Sequence, residues 1–159
     1  MISRLSLVLA FVAIAAAAVA AELAAVPDQR ITPGAILDTD PAVVCAPGYA
    51  RAHRVWHDKA STLMKYGLPL PQAPDFEDDD RIPICAGGDN ADPRNHWPQR
   101  CTAWEGIRCV AGPAFEKERL EGWVCRAVCD EHRLPLDAAQ RMFLGDWRVA
   151  YRQAFGKPP

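Results

Sequence analysis

The chain has 159 residues, 18 of them Lys or Arg and 20 of them Asp or Glu, which gives a formal net charge of −2 at pH 7. A dedicated nucleic-acid binder usually carries an excess of basic residues, so this balance argues against tight binding through many phosphate contacts. It still allows an enzyme that touches a few phosphates through local Arg side chains. The length is that of one domain with a modest hydrophobic core.

The first 21 residues have the pattern of a signal peptide. Arg4 supplies a positive charge, residues 5–21 are uncharged and rich in Ala, Val and Leu, and residues 19–21 (VAA) offer small side chains for cleavage. The apolar run is short for a membrane span, so we expect a secreted or periplasmic protein. Cleavage removes one of the 18 basic residues and none of the 20 acidic ones, which leaves a net charge of −3.

All six cysteines follow this segment. An even number in an exported chain predicts up to three disulfides, which stabilise a domain whose core is small. A zinc site is the rival interpretation, but no CxxC is present and the spacings of Cys101 to Cys109 and Cys125 to Cys129 fit no standard zinc pattern. The residues between Cys101 and Cys109 are expected to form a compact loop, which a local disulfide can close.

Residues 22–43 are predicted to form an extended leader, because recurring prolines prevent a continuous helix. A helix is predicted over residues 54–66, ended by Gly67 and the prolines beyond it. Its apolar face would consist of Trp56, Ala60, Leu63 and Met64. His53 and His57 lie four residues apart near its start, a spacing that can serve a metal, although exposed polar residues are the commoner explanation.

Residues 77–99 (EDDDRIPICAGGDNADPRNHWPQ) carry the most informative pattern. The acid run at residues 75–80 predicts a solvated loop; a calcium loop is the alternative, but the EF-hand spacing and its Gly are absent. Beyond it, residues 82–84 (IPI) and 93–98 (PRNHWP) are typical of two short extended arms. The Gly- and Asn-containing turn between them predicts a β-hairpin or a broad loop.

Two helices are predicted in the C-terminal half. The first covers residues 115–128, with a proline near its first turn and an apolar stripe formed by Leu120, Trp123, Val124, Ala127 and Val128. The second covers residues 137–155, with Asp137 and Gln140 as an N-terminal capping box and Gly156 after its end.

Taken together, these segments resemble the core of HNH-type endonucleases, which belong to the ββα-metal nuclease class. One small branch of that family has a first arm of the form acid-x-Asp-His-x-Ile-Pro-Leu, followed by a Gly-Gly turn and Asn-Leu-Trp-Pro. The matching residues here are 77–84 (EDDDRIPI), 87–90 (GGDN) and 95–99 (NHWPQ). The similarity extends over most of the mature chain, through residues 32–35, 45–49, 117–121, 128–129, 134–140, 146–147 and 150–151.

The resemblance implies an α+β fold, in which residues 44–156 form a mainly helical, disulfide-stapled small domain around a ββα-metal (HNH-like) hairpin-plus-helix core. It also shows where the chain departs from the family. The His that acts as general base is replaced by Asp80, and a carboxylate with a pKa of about 4 is a poor base for water unless it is desolvated. The family's His on the helix is replaced by Cys125, a soft ligand, whereas Mg²⁺ and Ca²⁺ prefer oxygen.

Other positions of the family's site keep suitable residues. On the resemblance, Asp80 and Asn95 stand at the catalytic positions of a degenerate site, with Asn95 bracing the hairpin. Asp79 and Glu121 would be metal ligands if the site is active. His96 follows Asn95 directly, and neighbours on an extended strand point to opposite faces, so it is expected to replace the missing base only if the backbone is irregular there.

The resemblance also implies a disulfide pairing. Cys45 and Cys129 match cysteines of the branch and would form one bond. The other four cysteines are additions, for which we favour Cys101–Cys109 and Cys85–Cys125. The last pair would link the hairpin to the helix across the former active site.

Three functions follow from these residues. The preferred one is an exported HNH-endonuclease-like pseudo-nuclease that has lost phosphodiester hydrolysis and serves as a binding or structural module, with no cofactor and a partner that the sequence does not name. The alternative is an active, divergent endonuclease of DNA or RNA, in which Asp79, Asp80 and Glu121 hold a divalent metal such as Mg²⁺. The third is a small exported domain unrelated to nucleases.

Overall fold

The computed structural model describes residues 25–159, so the predicted signal peptide at residues 1–21 lies outside the described residues. Within them the fold is mixed, with helices and two small antiparallel sheets. In chain order the elements are α1 (Pro41–Val44), α2 (Tyr49–Ala52), α3 (Lys59–Lys65), β1 (Phe76–Asp80), β2 (His96–Arg100), β3 (Ala103–Glu105), β4 (Arg108–Ala111), α4 (Pro113–Cys125), α5 (Leu136–Leu144) and α6 (Trp147–Phe155).

Strands β1 and β2 form an antiparallel hairpin whose register runs from Phe76 opposite Arg100 to Asp80 opposite His96. The predicted hairpin is therefore confirmed, but its first arm is the acid run and not residues 82–84. That run is a strand and not the expected solvated loop, because its backbone pairs with β2 and the side chain of Phe76 packs on Leu63. Residues 81–95 form the connecting loop, with short 3₁₀ turns at Ile84–Ala86 and Pro93–Asn95.

Helix α4 packs against this hairpin and carries the main core. Leu120 and Val124 are fully buried, and the stripe continues through Ala127 and Val128 in a π-helical segment, Arg126–Asp130. The helix predicted over residues 115–128 is thus confirmed, with its start at Pro113 and a change of helix type in its last turn. Helix α4 contacts both β1 and β2, although β3 and β4 lie between β2 and α4 along the chain.

The single helix predicted over residues 137–155 is wrong, because the chain forms α5 and α6 with a break between them. Gly145 takes an extended conformation, and the side chain of Asp146 accepts a hydrogen bond from the Arg148 backbone N–H at 3.0 Å, which caps the new helix. Both helices bury apolar residues in the same core. The helical spacing of apolar residues therefore continues across the break, and it does not reveal where α5 ends and α6 begins.

The predicted capping box is also wrong. Helix α5 begins at Leu136, and Pro135 at its N-cap makes no side-chain cap. Gln140 instead donates its side-chain amide to the carbonyls of Asp38 and Ala86, each at 3.0 Å. Because Gln140 is buried, its amide needs hydrogen-bond partners inside the protein. It finds them on distant segments of the chain and not at the start of its own helix.

The helix predicted over residues 54–66 is shorter than expected. Helix α3 starts at Lys59, because Asp58 at its N-cap accepts a hydrogen bond from the Ala60 backbone N–H at 3.1 Å. Residues 53–58 are not helical, and Trp56, expected on the apolar face, is 91% exposed. Of the expected face, Leu63 is buried and Met64 is exposed.

The N-terminal segment lies against the body of the domain. Residues 25–40 contain little regular structure, as expected for an extended leader, but α1 begins at Pro41, inside the predicted leader. The Thr32 hydroxyl donates to the His96 carbonyl at 2.9 Å, and the Trp147 indole donates to the Ala25 carbonyl at 2.8 Å. These bonds join the segment to both the hairpin and α6.

Arg81 is a buried residue that binds the same N-terminal segment through hydrogen bonds. Its side chain is 2% exposed, and its guanidinium donates to the carbonyls of Thr32 at 2.5 Å, Phe143 at 3.3 Å and Leu144. The last two carbonyls end α5, where the helix dipole places partial negative charge. The buried guanidinium of Arg81 therefore bonds to backbone carbonyls and to no carboxylate.

Three disulfides join Cys45 to Cys129, the pair that the resemblance implied, and Cys85 to Cys125 and Cys101 to Cys109, the two pairs that we favoured for the additional cysteines. They connect the end of α1 to the π-helical segment, the hairpin loop to the end of α4, and the residue after β2 to β4. Such bonds persist in oxidising compartments, which agrees with the predicted export. No helix in residues 25–159 is long and apolar enough to cross a membrane.

We expect Arg81→Ala to lower the free energy of unfolding by about 2–4 kcal/mol, since it leaves three carbonyls without their buried donor. Arg141→Ala is the matched control, because its ion pair with Asp137 is largely exposed and the loss should stay within about 0.5 kcal/mol. Urea denaturation of the oxidised proteins measures both values. Equal losses would contradict the role given to Arg81.

Candidate functional site

The alternation of strand β1 sends two adjacent carboxylates to different partners. Successive side chains of a strand point to opposite faces. Asp79 reaches Lys117 on α4, whereas Asp80 reaches Asn90 in the hairpin loop. The hairpin therefore carries two distinct clusters, one on each side of β1.

The first cluster is centred on the ammonium group of Lys117. This side chain is 1% exposed, and its Nζ donates to Asp79 Oδ2 at 2.9 Å, to the Asp80 carbonyl at 2.5 Å and to Glu121 Oε1. Glu121 lies one helical turn after Lys117, at the spacing that brings side chains together. All three donors of the ammonium are thus used by oxygens from β1 and α4.

Charge and burial act together in this cluster. Burial raises the pKa of the Glu121 carboxyl, which Lys117 opposes. Burial also disfavours the charged form of Lys117, but Asp79 and Glu121 outweigh it and hold the pKa of the ammonium above its ordinary value. The site consequently contains a permanent internal cation that faces two carboxyl groups.

The second cluster surrounds the carboxylate of Asp80. The Asn90 amide donates to both of its oxygens at 3.1 Å, and the Asn95 amide lies 3.4 Å from Oδ1. Burial is the main cause that raises the pKa of Asp80, and the Asn90 hydrogen bonds act against it. Asp80 is therefore a desolvated carboxyl held by amides, with no bond from its carboxylate to the Lys117 ammonium.

Asn95 braces the loop as the resemblance implied. Its side-chain oxygen accepts from the Ile82 backbone N–H at 3.0 Å, and its amide donates to the Ile82 carbonyl at 2.9 Å. These two bonds mimic a strand pair between the two ends of the loop, and the residue is fully buried. The position of Asn95 thus fixes the point at which the chain leaves β1.

His96 is closer to Asp80 than the strand pattern predicted. Asn95 ends a 3₁₀ turn, so the backbone is irregular just before His96, and both side chains approach the same carboxylate. His96 Nε2 lies 3.5 Å from Asp80 Oδ1 and 2.8 Å from the Asn90 carbonyl, while Nδ1 lies 3.7 Å from Asp78 Oδ1. The expectation that His96 faces away from Asn95 is wrong for this reason.

The imidazole of His96 is surrounded by acids and by a second ring. Burial lowers its pKa, but the carboxylates of Asp78 and Asp80 and the Asn90 carbonyl together raise it above the ordinary value. The ring of His57 lies 3.8 Å away between centroids, and its Nε2 also contacts the Asn90 carbonyl. A pocket of about 200 Å³ opens beside the two rings and is lined by His57, Asp58, Ser61, Thr62, Lys65, Pro93 and His96.

The predicted metal carboxylates are divided between the two clusters. Asp79 and Glu121 meet through Lys117, while the Asp80 carboxylate takes amide partners on the other side of β1. In residues 25–159 no group of three or more His, Cys, Asp or Glu is arranged to hold a metal. The helix face on which the spacing of His53 and His57 could have served a metal is absent, because residues 53–58 are not helical.

Three residues of the site were missed from the sequence alone: Asn90, His96 as a neighbour of Asp80, and Lys117 as an ion-pair centre. The four-residue spacing of Lys117 and Glu121 was the available signal for the last. No local sequence pattern indicated a role for Asn90, because its side chain contacts residues that are 10 and 35 positions away in the chain.

Comparison of the chain with models of known protein families, with curated proteins and with solved structures finds no match. The geometry of the two clusters is therefore the basis for a functional interpretation.

We expect the oxidised protein to lose stability as the pH rises from about 5 to 8. Folding raises the pKa of Asp80 and His96, and burial raises that of Glu77 from 4.5 to about 7. A group with a raised folded pKa stabilises the fold below its unfolded pKa, and this contribution disappears as the pH passes the folded value. Melting temperatures across this range test the sign.

The matched variant is Glu77→Gln, which removes one titration and should flatten the profile between pH 4.5 and about 7. A melting temperature that rises over this interval in the original protein would contradict the assignment of raised pKa values.

Proposed function

We propose that the protein is an exported HNH-endonuclease-like pseudo-nuclease that has lost phosphodiester hydrolysis and serves as a disulfide-stapled binding module. The observation that carries the proposal is the buried ammonium of Lys117 between the carboxylates of Asp79 and Glu121. A ββα-metal core requires its helix and hairpin to share a metal ion, and here a side chain supplies the positive charge between them.

The energetics favour the internal cation over a metal. Lys117 is tethered to α4 and uses all three donors, so a divalent ion would have to displace a fully bonded ammonium. It would also have to leave that ammonium buried without its carboxylate partners, which costs several kcal/mol, on the order of 3–5. Asp79 and Glu121 are thus assigned to structure and not to metal binding.

A second support is the bond between Cys85 and Cys125. It joins the hairpin loop to the end of α4. On the resemblance, Cys125 stands at the helix position where the HNH family carries a His. A disulfide supplies neither a proton acceptor nor a ligand for a hard cation. It does hold loop and helix together in the absence of a metal.

The alternative, an active divergent metal-dependent nuclease of DNA or RNA, has one specific observation in its favour. His96 lies directly opposite Asp80 in the hairpin, at 3.5 Å from its carboxylate, and so brings an imidazole to the site. In this alternative Asp79, Asp80 and Glu121 would hold a divalent cation such as Mg²⁺, and activation of water would fall to a group near Asp80.

The direct test is incubation of the oxidised mature protein with plasmid DNA and with RNA, in the presence of Mg²⁺, Mn²⁺, Ca²⁺ or EDTA. We expect no cleavage in any condition. Cleavage that EDTA abolishes, that Asp79→Ala removes and that Asp137→Ala retains would establish the alternative, because the exposed ion pair of Asp137 lies outside both clusters. Identical purification of all three proteins controls for a contaminating nuclease.

A second prediction concerns the charge balance itself. Lys117→Met should lower the free energy of unfolding by about 3–5 kcal/mol, because Asp79 and Glu121 lose their cation. Millimolar Ca²⁺ or Mn²⁺ should then raise the melting temperature of this variant and leave the original protein unchanged, since two carboxylates and a carbonyl become free for a hard cation.

Two further variants make this result interpretable. Lys65→Met is the control for loss of a lysine that bonds only carbonyls, and it should gain no cation response. Lys117→Met combined with Glu121→Gln should recover stability without any cation. A folded Lys117→Met protein with no cation response would contradict the assignment of Lys117 as the internal replacement for a metal.

A further inference from the structure

Trp56 is the most unusual surface residue of the domain. Its side chain is 91% exposed and its neighbour Val55 is 46% exposed, whereas Trp97 and Trp147 are buried in the core. An indole exposed to this degree keeps a large apolar face in water at a cost. The core does not use this ring, so its position requires another explanation.

The loop that carries Trp56 is fixed on both sides of the indole. The Val55 backbone N–H donates to Asn90 Oδ1 at 2.5 Å, and His57 contacts the Asn90 carbonyl and lies against the tilted ring of His96. Asn90 is the residue that also binds Asp80. The indole is thus presented on an ordered loop next to the degenerate site, and a ligand would not have to order that loop on binding.

Two unpaired cations precede Trp56 by five and two residues in the chain. Arg51 and Arg54 are exposed, and within residues 25–159 neither has an ion-pair or hydrogen-bond partner for its guanidinium. Asp58, the acid that follows in the chain, is occupied as the N-cap of α3. A free guanidinium binds phosphate oxygens with paired donors and also stacks on flat rings. The exposed segment at residues 51–56 therefore carries both a flat apolar face and anion-binding groups.

We propose that Trp56, Arg51 and Arg54 form a binding surface for single-stranded nucleic acid, with an unpaired base stacked on the indole and the adjacent phosphates held by the two arginines. This inference rests on the proposed function, since it names the ligand of the binding module. A duplex keeps its bases stacked inside and offers no free face to the indole, so the surface selects single strands. A lipid bilayer is the less suitable occupant, because two apolar side chains give too little insertion for stable anchoring.

The acidic net charge predicts that binding is weak. Two phosphate contacts predict that log affinity falls with log salt concentration with a slope of about −1.4. The probe is a fluorescein-labelled oligodeoxythymidine of about 12 nucleotides, which is within the usual site size for single strands. Binding to the oxidised mature protein is measured by anisotropy at low salt in EDTA, so that cleavage cannot interfere. We expect quenching of the tryptophan fluorescence together with binding, and much weaker binding to a duplex of the same length.

The variants separate stacking from general apolar adhesion. Trp56→Ala and Trp56→Leu should both weaken binding about 5- to 100-fold, because Leu keeps apolar surface but has no ring to stack on. Trp56→Phe should restore most of it. Ile107→Ser is the matched control, since Ile107 is 94% exposed on the β3–β4 turn and should not affect the affinity. Arg54→Ala should reduce the slope of log affinity against log salt by about half.

Three results would overturn the inference: no binding at low salt, equal affinity of the original protein and Trp56→Ala, or equal affinity for duplex and single strand. Binding to anionic phospholipid vesicles without binding to the oligonucleotide would also overturn it and would assign the loop to a membrane surface. These outcomes are separate from the cleavage test. A protein that cleaves DNA contradicts the loss of hydrolysis, whereas a protein that neither cleaves nor binds contradicts the ligand alone.

Discussion

The bond between Lys117 and the oxygens of β1 and α4 holds the hairpin against the helix. Asp79, Glu121 and the carbonyl of Asp80 lie close together in a partly dry space, where like charges would repel strongly. One buried ammonium lies between these oxygens, offsets part of the repulsion and bonds to both elements. The same bond sets the register of α4 against β1 and so places the Cys125 end of the helix beside the hairpin loop. Core packing and the site therefore depend on a single cation.

Successive side chains of β1 point to opposite faces, so Asp79 and Asp80 have different partners. The side that carries Asp79 is ion-paired and closed, while the side that carries Asp80 is lined by amides and imidazoles and opens toward a pocket. A carboxylate among amides is desolvated but not neutralised, so its pKa rises. On the proposed function, the first side is a scaffold, and the second side is the one that remains in contact with the surroundings of the protein.

The loop at residues 81–95 connects these features to the surface. Asn95 closes its two ends, Cys85 ties it to α4, and Asn90 links Asp80 to the segment that carries Trp56. Arg81 anchors its start to the N-terminal segment and to the end of α5. A substitution in this loop therefore acts on both clusters and on the exposed indole, which makes the loop the natural route by which surface binding and the buried site would influence each other.

The amino-acid pattern by itself determined the hairpin, the position of α4 with its buried stripe and the presence of enough cysteines for three disulfides. These are local properties, since turn residues and apolar spacing report which face of an element is apolar. It did not reveal the break at Gly145, because α5 and α6 bury the same face, nor the exposure of Trp56, because Asp58 starts α3 later than the apolar spacing indicates. Only the tertiary structure decided which charges meet. Asp79 and Lys117 are 38 residues apart, and Asp80 and His96 meet through the hairpin register, so their partners depend on how distant elements pack and not on neighbours along the chain.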